Sequence, residues 1–142
     1  MITISILGLD QFVTGQYSKD HTRNIADIFE ISPDDLLFYA PNSYVFHNGV
    51  EQTSWNGIVR INAPKEYKRF QDRIAKYLLT TLCDYCINIY VEFYYFDSDD
   101  SYLHISSDYP RFITEENMVS MEEEIDVEDS VDDFISKIEK NN

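Results

Sequence analysis

Apolar and polar residues alternate from the start of the chain. Ile2, Ile4 and Ile6 are separated by Thr3 and Ser5, the period-two pattern of a half-buried strand, which Gly8 ends. After a loop containing Gly15, Ser18 is a good helix N-cap, and Ile25, Ile28 and Phe29 then recur at helical spacing until Ser32-Pro33 stops the pattern. This predicts a helix over 19–30. A short apolar run, Leu36 to Ala40, is followed by Pro41-Asn42. Ser43 to His47 reads as a strand closed by the turn pair Asn48-Gly49, with Val50 starting its hairpin partner.

The pattern then repeats. Gly57 to Ala63 is a strand, and Pro64 suits a first helical turn. Tyr67, Phe70, Ile74, Tyr77, Leu78 and Thr81 share one face of a helix running to Leu82, and Lys65, Lys68, Arg69, Arg73 and Lys76 collect on the other. Ile87 to Phe96 is β-branched and aromatic on both faces, which predicts a central strand. Asp97 to Ser101 reads as a turn and Tyr102 to Ile105 as a short strand. Beyond Pro110 the chain turns acidic, and Val127, Val131, Phe134, Ile135 and Ile138 mark an amphipathic helix over 127–140.

Strand, helix, strand therefore occurs twice, from Ile2 and from Gly57. Right-handed crossovers place both helices on one face of one sheet. The fold class this predicts is α/β, more narrowly α+β: two βαβ units forming one mixed sheet over residues 1–110. An acidic helical tail occupies 111–142. The second sheet face is left bare, to be covered by the tail or by another subunit.

Charge sharpens this division. The chain of 142 residues carries a net −15, but residues 115–142 hold 11 acids and two lysines, so the tail accounts for most of the excess. An acidic chain is a poor nucleic-acid or anionic-membrane binder, because phosphate contacts need cations from the protein. No basic region precedes the first apolar residues, and no apolar run reaches 18 residues. Together with only two cysteines, this predicts a cytoplasmic protein with no membrane span.

Several constellations invite chemistry. Cys83-Asp84-Tyr85-Cys86 has redox spacing, yet it lies at a helix C-terminus, where the dipole raises a thiol pKa, and no second pair exists for zinc. Two half-buried structural thiols is the better reading. Asp97, Asp99, Ser101 and Asp108 match calcium-loop positions, but Tyr102 stands where the sharp turn wants glycine. His21, His47 and His104 fall on different elements without a motif, and no glycine-rich phosphate loop or nucleophile elbow occurs. No metal and no cofactor is implied. The basic helix face reads first as a solvated surface, with an acidic partner or the protein's own tail as alternatives.

Three stretches carry a family resemblance: Ile31-Ser-Pro-Asp-Asp-Leu-Leu-Phe, the Ser43-Tyr-Val-Phe-His-Asn-Gly hairpin, and Glu66 through Ala75 with its Gln71-Asp72 pair. With the doubled βαβ pattern, they resemble the tautomerase superfamily, that of 4-oxalocrotonate tautomerase and macrophage migration inhibitory factor. Within it, they resemble most a small bacterial group of tautomerase-like proteins of unknown function. The resemblance implies a homotrimer or other homo-oligomer, with a ligand cleft near Met1. It also implies an N-terminal proline acting as general base through a tuned secondary amine. Here residue 2 is Ile2, so Met1 is expected to be retained with an ordinary α-amino group. Family pockets gather cations for carboxylate substrates, whereas the loop into the second strand is Ser32-Pro33-Asp34-Asp35. Arg60 is the remaining candidate cation, although a strand arginine is more often paired structurally.

Three functions follow as expectations. The first is a catalytically degenerate tautomerase-fold protein that binds a small molecule or serves as a structural homo-oligomer, with Met1 and Arg60 as candidate ligand contacts. The second is an immunity- or inhibitor-type module whose acidic tail engages a basic protein. The third is an active keto-enol tautomerase using another base.

Overall fold

The computed structural model describes residues 1–118, which excludes the predicted helix over 127–140. The chain divides into two units, one spanning Met1–Tyr102 and the other beginning at Leu103. The first contains strand β1 (Ile2–Leu7), helix α1 (Gln11–Phe29), strand β2 (Leu36–Tyr39), strands β3 (Phe46–His47) and β4 (Val50–Glu51), strand β5 (Asn56–Pro64), helix α2 (Gln71–Leu82) and strand β6 (Asn88–Phe96).

A four-stranded sheet has the order β2-β1-β5-β6. Each strand–helix–strand unit pairs in parallel, β1 with β2 and β5 with β6, and the units join antiparallel through β1 and β5. This is the doubled βαβ mixed sheet expected from the pattern. One face carries Ile2, Ile4, Ile6, Val59 and Ile61 against Tyr17, Ile25 and Phe29 of α1 and Ile74, Leu78 and Leu82 of α2, all buried. β6 is an edge strand and not the expected central one. Its second aromatic face is exposed, with Tyr90 and Tyr94 turned away from the helices, so its apolar character does not report a layer on each side.

Helix α1 starts eight residues before the sequence reading placed it. Asp10 is the cap, accepting from the Phe12 amide at 2.8 Å, and Ser18 lies inside the helix. The reason is tertiary. Thr14, Tyr17, Ile25 and Phe29 face the core at helical spacing, and Tyr17 is fully buried with its hydroxyl 2.7 Å from Thr81 Oγ1. Burial pushes the Tyr17 hydroxyl pKa up. Gly15 faces solvent with open space where a Cβ would stand. Gly15→Ala is therefore expected to raise stability by about 0.5–1 kcal/mol, read as an increased denaturant midpoint at unchanged m.

The second helical segment opens with 3₁₀ turns over Lys65–Phe70 before α2 proper, where the reading had one continuous helix. Pro64 ends β5 itself, a position open to proline at a strand terminus. At the hairpin, Asn48 and Gly49 both take positive φ, as a two-residue type I′ turn requires. Residues 102–105 form no strand, and the side chains of Tyr102, Leu103 and Ile105 are exposed. In the second unit, Thr114 and Asn117 cap each other's backbone amides at the start of a helical turn over 115–118. No helix of the described residues is long and apolar enough to cross a membrane.

Candidate functional site

The two ends of the sheet differ in chemistry. At the β1 start, the Ile2 side chain is 1% exposed in the core beneath the helices, so it presents nothing to a ligand. Met1, beside it, is half-buried. Leu36 pairs with Ile2 and follows Asp34 and Asp35, which places carboxylates at this end. Lys65, following β5, is held by Asp97 at 3.0 Å.

Arg60 is not brought to Met1. It lies opposite Ser5, four residues along β1, roughly 13 Å of strand from Met1. Its register neighbour on β6 is Glu92, and Arg60 Nε donates to Glu92 Oε1 at 2.6 Å. That bond raises the Arg60 pKa further, and hydrogen bonding to Glu92 also raises that of Tyr94. Arg60 is thus a paired strand arginine, with Tyr39 and Tyr94 close by.

Three rows that include β1 cross the face opposite the helices. Tyr39, Ser5, Arg60 and Glu92 make one, Leu37, Thr3, Asn62 and Tyr94 the second, and Leu7, Ile58 and Tyr90 the third, at the hairpin end. Ser5, the small residue between two long ones, is buried even here. The flanks are not. Leu37, Tyr39, Tyr90 and Tyr94 are 42%, 49%, 62% and 48% exposed on this one face. Large aromatic side chains gathered on one open sheet face mark a contact surface more than scattered exposure does.

At the other end of the sheet, a pocket of about 390 Å³ lies where the β3–β4 hairpin meets the first residues of β5 and β6. Phe46 and His47 come from the hairpin, Asn56 and Ile58 from β5, and Asn88 and Tyr90 from β6. Gly8 makes this junction possible. It sits at φ +83°, a Cβ there would stand 2.5 Å from the Asn56 carbonyl oxygen, and its own carbonyl accepts from the Ser54 amide at 2.8 Å. Of the sequence signals, only the hairpin stretch over 43–49 contributes to this pocket, through Val45, Phe46 and His47; nothing in the sequence points to Asn56 or Asn88.

The remaining candidates resolve into structure. Cys86 is buried with its Sγ 3.2 Å from the Asn88 carbonyl oxygen, and burial raises its pKa, while Cys83 is exposed; both thiols are free. His21 stacks on Tyr17 and its Nδ1 lies 2.6 Å from the Tyr77 hydroxyl. Among the described residues no cluster of three metal-ligating side chains occurs. On the basic helix face, Arg69 lies over the Phe70 ring and 3.8 Å from Glu30, and Lys68 lies over Tyr95.

No family model matches the sequence, and no curated protein matches it. Solved structures do. The chain is similar to a domain of unknown function (DUF1904) from Sebaldella termitidis, at TM-score 0.65 and 14% identity over 72% of this chain and 95% of that one. It is also similar to a macrophage migration inhibitory factor-like protein from Entamoeba histolytica, at TM-score 0.55 and 13% identity over 72% and 94%. The macrophage migration inhibitory factor of Toxoplasma gondii gives 0.53 and 12% over 72% and 94%. The chain shares the fold of these proteins, the doubled βαβ arrangement that its strand and helix pattern predicts. Of these neighbours, the one with the higher TM-score is itself a protein of unknown function.

Proposed function

We propose that this protein is a tautomerase-fold protein without catalytic turnover, which associates with copies of itself through the open sheet face and binds a small molecule. The observation that carries the reading is the open face, where Leu37, Tyr39 and Tyr94 stay exposed on a sheet otherwise packed on one side by two helices. A second copy laid on this face would remove them from water, at about 25 cal/mol per Å² of apolar surface. The trimer is the form that the resemblance implies.

Loss of catalysis is supported at the β1 start. Ile2 fills a core position, Asp34 and Asp35 oppose an anionic substrate, and Arg60 is committed to Glu92. A keto acid there would meet no proline secondary amine, and the Arg60 guanidinium is already paired. The protein is expected to leave the enolisation rate of phenylpyruvate at its buffer value. Acceleration that saturates with substrate would overturn this part of the reading.

Association is tested separately. With Cys83 replaced by Ser, an Asn62→Cys variant places a thiol in the middle of the open face. A short bis-maleimide is expected to link it between chains, while Arg73→Cys on the helix side stays unlinked. Equal linking of the two would remove the basis for a shared sheet face.

A further inference from the structure

The pocket at the hairpin end of the sheet has a chemistry of its own. None of its lining residues is a lysine, arginine, aspartate or glutamate. An anionic ligand would find no counter-charge there, and neither would a cation. What the pocket offers is a set of neutral donors and acceptors between apolar walls. Asn56 and Asn88 contribute amides and His47 an imidazole, while Phe46, Ile58 and Tyr90 supply aromatic and aliphatic surface. Its volume of about 390 Å³ lies at the small end of the range for small-molecule sites.

The walls are held in place without a ligand. Gln52 accepts at Oε1 from Asn56 Nδ2 at 2.7 Å, donates through Nε2 to the Val50 carbonyl at 3.1 Å, and its amide bonds the Val45 carbonyl at 2.8 Å. One residue thus ties Val45, just before the hairpin, and Val50 of β4 to the start of β5. The Asn88 amide nitrogen bonds the Trp55 carbonyl at 2.9 Å, which fixes β6 to the same junction. The bond to Gln52 leaves the Asn56 Oδ1 acceptor for a ligand. The Asn88 and His47 side chains are exposed and have no protein partner among the described residues. Carboxamides present a donor and an acceptor side by side, the pattern that matches the edge of a heterocycle, and aromatic walls suit its face.

We propose that this pocket binds an uncharged planar heteroaromatic ring of nucleobase type, with its edge on Asn56, Asn88 and His47 and its face against Phe46 and Tyr90. The proposal rests on, and names a ligand class for, the small-molecule part of the function proposed above. Every residue it uses belongs to one chain, so it does not depend on association.

The test is a titration of the full-length protein with adenine, followed by the backbone amides of Gly57 and Ile89 and the ring protons of His47 in NMR spectra. Saturable shifts confined to these groups are expected. Asn88→Ala and His47→Ala, both at exposed positions, should each weaken binding about tenfold, with an unchanged melting temperature. AMP should bind no tighter than adenine, since nothing in the pocket meets a phosphate. The assignment is overturned if millimolar adenine moves none of these signals, if both variants bind as the wild type does, or if AMP or phenylpyruvate binds there more tightly than adenine. Sedimentation of the same samples reports association independently, so either half of the reading can fail alone.

Discussion

Gly8→Ala is expected to destabilise the protein by roughly 3 kcal/mol and to loosen the hairpin end of the sheet. Two effects add at this residue. An L-side chain at φ +83° is strained by about 1–2 kcal/mol, and the new Cβ would press on the Asn56 carbonyl oxygen, a backbone atom that cannot rotate away. Shifting that carbonyl displaces the start of β5, where Asn56 and Gly57 line the pocket. Gly49→Ala is the control. Its φ of +81° carries the same strain, but nothing lies within 4 Å of the new Cβ. It should therefore cost only about 1 kcal/mol. Equilibrium urea unfolding of the two variants checks this, and equal losses would mean that the close approach to Asn56 is not a real constraint.

Charging the open face at both ends of one row should have the second large effect. Leu37 and Tyr94 terminate the row that runs through Thr3 and Asn62. In a lone chain both are nearly half-exposed, so Leu37→Glu with Tyr94→Glu is expected to change its folding stability by less than about 1 kcal/mol. Between copies, the same carboxylates would be buried without partners, which costs several kcal/mol for each charge. Dissociation should then strengthen by at least about a hundredfold at constant melting behaviour of the dissociated chain. An oligomer of unchanged affinity would place the contact surface elsewhere.

Much of the fold is written in periodicity. Ile2, Ile4 and Ile6 alternate because they face helices on one side only, and the spacing of Phe70, Ile74 and Leu78 reflects the one buried face of their helix. What was not legible depended on partners distant in the chain. Helix α1 reaches back to Asp10 because Tyr17 finds Thr81 across the core, against the local signals of Gly15 and Ser18. β6 looked central because tyrosines on an open face read like residues packed in a layer. The hairpin pocket was hidden for a related reason. Asn56 and Asn88 stand at the first positions of two strands, where asparagine reads as turn chemistry, and only the parallel register of β5 with β6 puts them side by side. For Arg60, a structural pairing was legible from its place on a strand but its partner was not, since Glu92 becomes its neighbour through that same register.

The central claim is that the open sheet face is shared between copies of this chain, and sedimentation velocity over a range of protein concentrations tests it most directly. The account predicts a single species at three times the mass of the chain at micromolar concentration, converted to the single-chain species by Leu37→Glu with Tyr94→Glu. A wild-type protein that sediments as one chain across that range would contradict it.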